Sequence, residues 1–473
     1  MKKYYYERSN LLESDVNINF EELLYMDEKQ TSEWIKKLRE FIITEWDEKG
    51  IPPTIGANKS DIIKNFKKLR EYDVHNKFLV SDDDGNRNVI KNYNKHASSI
   101  NQFFPTMLKT RVQNGSIYDW FTDEYKDKFE RVILRILKRD SMYNWSKCVL
   151  EGEELPENFF IVQHKHNAVE SIYKTLSVEE VEKLDEKHKT NLPKELDGDT
   201  YKFLVRDFQL GQKLFPAGIQ AFRLGLGQPA VNFPPLTARY LYETYTKHIS
   251  QDIINVYDPS SGWGGRILGA MSSLKRIHYI GTDPNTDNYI DELGQTRYEY
   301  VADFFNNEVL ENNRFWEEDQ NTYHVFQEGS EHIGDHPDFQ QYKGKLDMVF
   351  TSPPYFDREQ YSEDEEQSYK AYPKYDDWRD NFLKPTLTNA YESLRNDRYL
   401  LWNIADIKIG KDKYHPLEQD SIDVITALGG EYQGKLKMLM TSMVGVDQSN
   451  VKNSVKVNGT YLKYEPIFIF YKK

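Results

Sequence analysis

One cysteine, Cys148, is the whole thiol content of the chain. An intrachain disulfide and a cysteine-ligated zinc site are therefore excluded, and a reducing compartment is implied. Long apolar runs are also missing: no stretch approaches the roughly 18 residues of a membrane helix. The opening Met1-Lys2-Lys3-Tyr4-Tyr5 leads into Glu7 and Arg8 without the apolar segment of a secretory signal. A cytoplasmic protein with no membrane partner is the expectation. Positive charge is in deficit, with 62 Lys and Arg against 76 Asp and Glu and a net charge of -14. That weighs against a molecule-wide phosphate-binding surface and leaves a local basic face open. The 11 histidines show no metal-ligand spacing, and no metal is expected.

What is present is a globular mixture, 38% hydrophobic and 29% charged, long enough at 473 residues for several domains. The first half reads helical. Trp34, Leu38, Phe41, Ile42 and Trp46 recur at near-helical spacing, and Pro52-Pro53 ends that pattern. A second helix is expected over Ser60–Tyr72, with Ser60 as N-cap and Ile62, Ile63, Phe66 and Leu69 on one face. Its other positions carry Lys59, Lys64, Lys67, Lys68 and Arg70, a solvated face or a phosphate-binding one. A further helix is expected at Glu130–Lys138, and residues 176–200 read as a connecting segment.

The second half alternates short apolar runs with helical patterns. The runs are Ile253–Tyr257, Ile277–Gly281, Tyr323–Gln327, Leu346–Phe350, Arg398–Ile404, Lys435–Met440 and Glu465–Tyr471. Helices are expected near Gly265–Lys275, Asp377–Leu394 and Leu417–Leu428. This pattern predicts an α/β fold with a mostly parallel, doubly wound sheet. Ligands then bind at the carboxyl ends of the strands. A division into residues 1–200, mainly helical, and 201–473, carrying the chemistry, is expected.

Two such strand ends bear distinctive residues. Asp258-Pro259-Ser260-Ser261-Gly262-Trp263-Gly264-Gly265 is a glycine-rich turn between a strand and a helix. Its glycines permit a tight turn and close approach of a ligand to the backbone. A carboxylate there repels a pyrophosphate, so Asp258 favours a cationic sulfonium cofactor over a dinucleotide and can take a methionine-like amino group. Asp283, at the end of the next strand, is placed to accept from ribose hydroxyls. The second feature is Ser352-Pro353-Pro354-Tyr355, at the end of Leu346–Phe350. Proline fixes φ and donates no N–H, so carbonyls and the Ser352 side chain can face a substrate amine. A base amine is a poor nucleophile, and acceptors on its two N–H bonds favour the pyramidal geometry that attacks. Tyr355 can stack on an extruded base, a contact worth ~1–3 kcal/mol.

These two motifs, in this order, resemble the DNA amino-methyltransferases that form N4-methylcytosine and N6-methyladenine, in restriction-modification and phage-type systems. Asp258 to Gly264 matches that family's Asp-Pro-x-x-Gly-x-Gly cofactor signature, and Ser352 to Tyr355 its catalytic signature. The resemblance covers about residues 229–473. It implies the class I, Rossmann-like, seven-stranded methyltransferase fold, S-adenosylmethionine as cofactor and DNA as partner, with the target base flipped out. Asn232 and Phe233, within Val231–Pro235, resemble the segment over the cofactor. Ser330, with Glu328 and Glu331 beside it, stands where the family often places an acid against the cofactor adenine. Leu401–Asp406 resembles the fifth strand, and Glu465–Phe470 the last, antiparallel one. Ser before Pro-Pro resembles the cytosine branch, so cytosine N4 is preferred to adenine N6.

Carbon-5 methylation needs a cysteine nucleophile, and Cys148 lies outside this half. RNA or protein substrates, and a catalytically silent nucleic-acid-binding protein, are the other readings. The loop from Phe356 to about Tyr375 is expected to close over the base, and its run Glu363-Asp364-Glu365-Glu366 reads as solvated. The segment Asp447–Tyr461, with Lys452, Lys456 and a turn at Asn458-Gly459, reads as a hairpin or a phosphate contact.

Overall fold

The computed structural model describes residues 16, 26–49, 58–91, 98–112, 115–131, 159–166, 169–177, 230–310, 321–362, 364–411, 413–440, 449 and 451–473. Cys148, the segment 178–200 and most of the helix expected at Glu130–Lys138 lie outside the described residues. The chain forms two compact units.

One unit comprises Arg8–Ile55 and Tyr118–Gln228. Its principal helix, α1 (Glu28–Lys49), buries Trp34, Leu38, Ile42 and Trp46 of the stripe that the spacing predicts, together with Ile35, whereas Phe41 is only half-buried. Trp46 meets Tyr118 edge-on at 5.1 Å, and the Tyr118 hydroxyl donates to Asp47 at 2.8 Å. An antiparallel hairpin, Phe159–His166 with Val169–Ser177, also belongs here, so this part is not purely helical.

The other unit takes in Gly56–Ile117 and Pro229–Lys473. The division therefore does not fall at residue 200: part of the N-terminal half is built into the second half. Helix α2 (Lys59–Glu71) buries Ile62, Phe66 and Leu69. Its N-cap is Asn58 rather than Ser60, because the Asn58 side chain accepts from Asp61 N at 2.9 Å and from the Ser60 hydroxyl at 2.6 Å. Strands β1 (Leu79–Val80) and β2 (Val89–Ile90) follow. Helix α3 (Pro235–Tyr245) leads into β3 (Ile253–Asp258), α4 (Gly265–Ser272) and β4 (Arg276–Thr282). Then come α5 (Arg297–Phe305), β5 (Thr322–Phe326), β6 (Leu346–Thr351), α6 (Lys384–Ser393), β7 (Leu394–Asn403), α7 (Leu417–Ala427), β8 (Glu431–Leu439), β9 (Ser454–Val457) and β10 (Thr460–Lys472).

The sheet order is β1-β2-β8-β10-β7-β6-β3-β4-β5, with β9 paired to β10. Strands β5, β4, β3, β6 and β7 are parallel, and β10 runs antiparallel between β7 and β8. This is an α/β, Rossmann-like architecture with a mostly parallel sheet, extended at one edge by β2, which pairs with β8. The β9–β10 pair turns at Asn458-Gly459, so Lys456 stands in a hairpin. Both faces of the sheet are covered, which is why its strands read as nearly unbroken apolar runs. Val256, Tyr279, Met348 and Phe350 join one core, whereas Tyr257, Ile280, Val349 and Trp402 join the opposite one.

The N-terminal insertion is held by core contacts. Phe66 stacks on Phe305 at 4.2 Å, and Arg239 donates to the carbonyls of Leu69 at 2.7 Å and Tyr72 at 3.1 Å. Helix α5 begins with a capping box, Thr296 to Glu299, a Thr-x-x-Glu pattern visible in the sequence but absent from the elements expected there. The helix expected at Asp377–Leu394 forms with a π turn at Arg379–Leu383, just before Pro385. Proline has no N–H to return to a carbonyl four residues back, which favours this widening. Among the described residues, no helix is long and apolar enough to cross a membrane.

Candidate active site

A cleft opens at the carboxyl ends of β3, β4 and β6. Pro259, Gly262 and Trp263 form one side, Asp283, Asn285 and Asn288 the next. Ser330, Glu331, Ser352 and Pro354 close the floor, with Tyr361, Glu366, Gln367, Ser368 and Phe382 over it.

The backbone brings these ends together by strand register. Ser261 N donates to Thr282 O at 2.9 Å, and Asp283 N to Phe326 O at 3.0 Å. Gly262 (φ 58°) and Gly264 (φ 77°) hold left-handed conformations in the turn, where a side chain is disfavoured. A Cβ on Gly264 would overlap the Phe104 ring, and one on Gly265 the Phe233 carbonyl. Asn232 secures this turn from behind: its Oδ1 accepts from Gly265 N at 3.0 Å, and its Nδ2 donates to Trp263 O. Phe233 lies under the Arg266 guanidinium at 5.6 Å and meets Phe350 edge-on at 5.3 Å. Asn232, Phe233 and Gly264 thus support the loop and do not border the cleft.

Asp258 is also behind the cleft. It is fully buried, and both its oxygens are engaged. Oδ2 accepts from Arg266 Nε at 2.8 Å and from the Tyr279 hydroxyl at 2.6 Å; Oδ1 accepts from the Thr351 hydroxyl at 2.6 Å. Arg266 also donates to Ser260 O. The expectation that Asp258 takes a cofactor amino group is corrected accordingly. A carboxylate already holding a guanidinium and two hydroxyls has little acceptor capacity left, and here it ties β3, α4, β4 and β6 together.

Asp283 does border the cleft. Gly262 N donates to it at 3.1 Å, Asn285 N at 2.9 Å, and the Tyr298 hydroxyl lies 2.7 Å from Oδ2. Burial outweighs these bonds and pushes its carboxyl up to about 6. Tyr298 receives Asn288 Nδ2 at 3.0 Å and also touches the Gly262 carbonyl, so it braces loop and carboxylate together.

Ser330 borders the cleft with its hydroxyl 3.0 Å from that of Thr386. Its neighbour Glu331 was marked by the sequence only as a flanking acid. The structure buries it, and burial raises its carboxyl above the usual range. Glu331 Oε2 and Gln367 Nε2 are both buried without a hydrogen-bond partner, and both residues border this cleft. Two residues that line the cleft thus each keep one buried polar atom that no protein group satisfies. The adenine, ribose and charged amino acid of S-adenosylmethionine fit the polar and apolar residues that line the cleft. Trp263 lies within the glycine turn, and Tyr361 and Gln367 within the loop expected to close over the base, but no local pattern singles out these three side chains, which meet only through tertiary structure.

The Ser352–Tyr355 turn divides. Ser352 and Pro354 border the cleft; Pro353 is buried, and Tyr355 is half-buried with its hydroxyl 3.4 Å from Asn403 O. Arg358 N returns to Tyr355 O at 2.9 Å, a tight turn that carries Phe356 into positive φ, 45°. A non-glycine residue pays a steric penalty there. Buried packing holds it, with Tyr375 at 5.6 Å and Trp378 at 6.0 Å edge-on. The following loop borders the cleft through Tyr361, Glu366, Gln367 and Ser368. Two clasps hold it there. Glu359–Gln360 pair antiparallel with Arg111–Val112, and Asp364 accepts from Thr286 N at 2.9 Å.

No family model matches this chain, and no curated protein matches it. Among solved structures it is similar to TrmN from Thermus thermophilus, with 13% identity over 50% of this chain and 49% of that one, at a TM-score of 0.26. Another Thermus thermophilus protein, assigned as a DNA modification methylase and complexed with S-adenosyl-L-methionine, shows 16% identity. That match covers 30% of this chain and 52% of the other, at a TM-score of 0.21. The chain thus spans about half the length of each. A precorrin-6y C5,15-methyltransferase from Geobacter metallireducens shows 9% identity over 50% of this chain and 88% of that one, at a TM-score of 0.27.

Proposed function

We propose that this chain is an S-adenosylmethionine-dependent methyltransferase acting on the exocyclic amine of a DNA base, cytosine N4 in preference to adenine N6. One observation carries the reading: Asp283, Ser352 and Pro354, at the ends of different strands, border a single cleft that Glu331 and Gln367 also line.

Asp283 would accept from ribose hydroxyls, and Glu331 and Gln367, which line the same cleft, would be available to the cofactor's other polar groups. When bound, S-adenosylmethionine would supply a methyl group on a positively charged sulfur: the amine nitrogen would bond to the methyl carbon, the sulfur would leave as a neutral thioether, and the amine proton would pass to solvent. Ser352 and the proline-flanked carbonyls accept from the amine and aim its lone pair. Tyr355 stacks on the extruded base. No residue forms a covalent bond to the base, and no metal is needed. The unit of Arg8–Ile55 and Tyr118–Gln228 is a candidate for sequence readout.

Mass spectrometry of nucleosides from DNA of expressing cells tests the reading. N4-methylcytosine supports it in full. N6-methyladenine keeps the mechanism and changes the base. 5-methylcytosine, or no modified base with purified protein and S-adenosylmethionine, overturns it; methylated RNA or protein alone selects another substrate class.

A further inference from the structure

Beyond the catalytic turn, β7 runs out through Ile404-Ala405-Asp406 into a short antiparallel hairpin, Ile407–Lys408 with Tyr414–His415. Its root is anchored. Ile407 is buried in the core that contains Phe356. His415 stacks on Tyr375 at 4.2 Å and meets Phe356 edge-on at 5.4 Å. Since Phe356 follows Tyr355, the hairpin root and the catalytic turn share one packed base. Asp406, the acid at this root, is already paired with Lys452 and accepts from Glu418 N at 2.8 Å.

The tip has the opposite character. Ile409 is 54% exposed, its N–H donating to Lys413 O at 2.9 Å. Lys408, Lys411 and Lys413 are all exposed, and among the described residues none of them is in an ion pair. Ile407–His415 holds these three lysines against one acid, Asp412, in a chain of net charge -14. A short hairpin that carries an exposed apolar side chain and flanking cations is complementary to a stacked, polyanionic duplex. Apolar side chains wedge between base steps, and cations hold phosphates.

We propose that the hairpin Ile407–His415 is a nucleic-acid grip: Lys408, Lys411 and Lys413 contact the backbone of a duplex, and Ile409 enters the stack beside the extruded base. The inference rests on the nucleic-acid reading of the cleft. A wedge lowers the few kcal/mol that extrusion from a duplex costs, and single strands need it less.

The test uses the full chain. Binding of a mixed-sequence DNA duplex is measured against salt for wild type and for the Lys408→Gln/Lys411→Gln/Lys413→Gln variant. S-adenosylhomocysteine binding serves as the check on folding. The slope of log affinity against log salt should become shallower by about 0.9 for each phosphate that the variant no longer neutralises. Methylation by Ile409→Ala is compared on plasmid DNA and on the same DNA heat-denatured; the duplex-to-single-strand rate ratio should fall about tenfold, equivalent to about 1.4 kcal/mol in the barrier. A wild type that binds duplex while the lysine variant keeps its slope and affinity overturns the grip alone. An unchanged rate ratio, or a wild type active only on denatured strands, overturns the wedge alone. A wild type that neither binds nor methylates either DNA overturns the underlying reading as well.

Discussion

Asp258 and Arg266 form a buried ion pair, Oδ2 to Nε at 2.8 Å, that stands behind the glycine turn rather than in the cleft it frames. Two acids that look alike in sequence thereby separate into a structural one and a ligand-facing one. Removing one partner of a buried pair leaves the other charge uncompensated, at about 3–5 kcal/mol. Asp258→Asn is therefore expected to lower the unfolding free energy by that order. Asp283→Asn should not lower the denaturant midpoint, and above about pH 6 should raise it because the neutral amide avoids the cost of a buried carboxylate, while S-adenosylmethionine binding weakens. Denaturant unfolding and calorimetry on both variants check this; equal loss of stability in the two would remove the distinction.

The raised Asp283 carboxyl sets a pH dependence. Its folded value, about 6, exceeds the ordinary 3.8. Between these values the folded state holds more protons, so its contribution to stability is fully present below about 3.8 and is lost as pH rises through about 6. Cofactor binding has the opposite sign. Ribose hydroxyls donate to the ionised carboxylate, so affinity should rise with pH through about 6, with proton release on binding. Titrations in buffers of different ionisation enthalpy measure that release. A pH-independent affinity in wild type, matching that of Asp283→Asn, would remove Asp283 from the ligand.

Chemistry at the turn is predicted to follow the ring of Tyr355. Tyr355→Ala should cost about ten- to hundredfold in rate, the worth of one base-stacking contact. Tyr355→Phe should be milder, because the ring does the stacking and the hydroxyl's bond to the Asn403 carbonyl is long, at 3.4 Å. Ser352→Ala should lower turnover more than cofactor affinity. Cys148→Ser should leave turnover nearly unchanged; inactivity of that variant would demand a covalent mechanism.

The placement of residues 56–117 changes what a truncation can do. Starting the chain near residue 201 removes Ile62, Phe66, Leu69, Phe78, Phe103 and Phe104, all buried in the core that contains Val256 and Phe350. Each large apolar truncation in a core costs about 3–5 kcal/mol, against a typical total of about 5–15 kcal/mol. A fragment of residues 201–473 is expected to fail to fold. A soluble fragment with cooperative unfolding and full cofactor affinity would show that α2 and its neighbours are dispensable.

By itself the sequence determined what depends on local pattern. Alternation of apolar runs with helical spacing placed β3 to β8 and β10 to within a few residues, because a doubly buried strand must be apolar at nearly every position. Glycines needing positive φ and paired prolines marked the two turns, because few other residues satisfy those backbones. Tertiary structure alone decided which polar groups meet. Asp258 is bound by partners 8, 21 and 93 residues away, Arg266, Tyr279 and Thr351, so its acceptors are used up by residues that no local window contains. Glu331 and Gln367 converge on one cleft only because strand order brings the end of β5 beneath the loop after β6. The short strands β1 and β2 carry too few residues for a periodic signal, and they join the sheet only because β8 offers an edge to pair with.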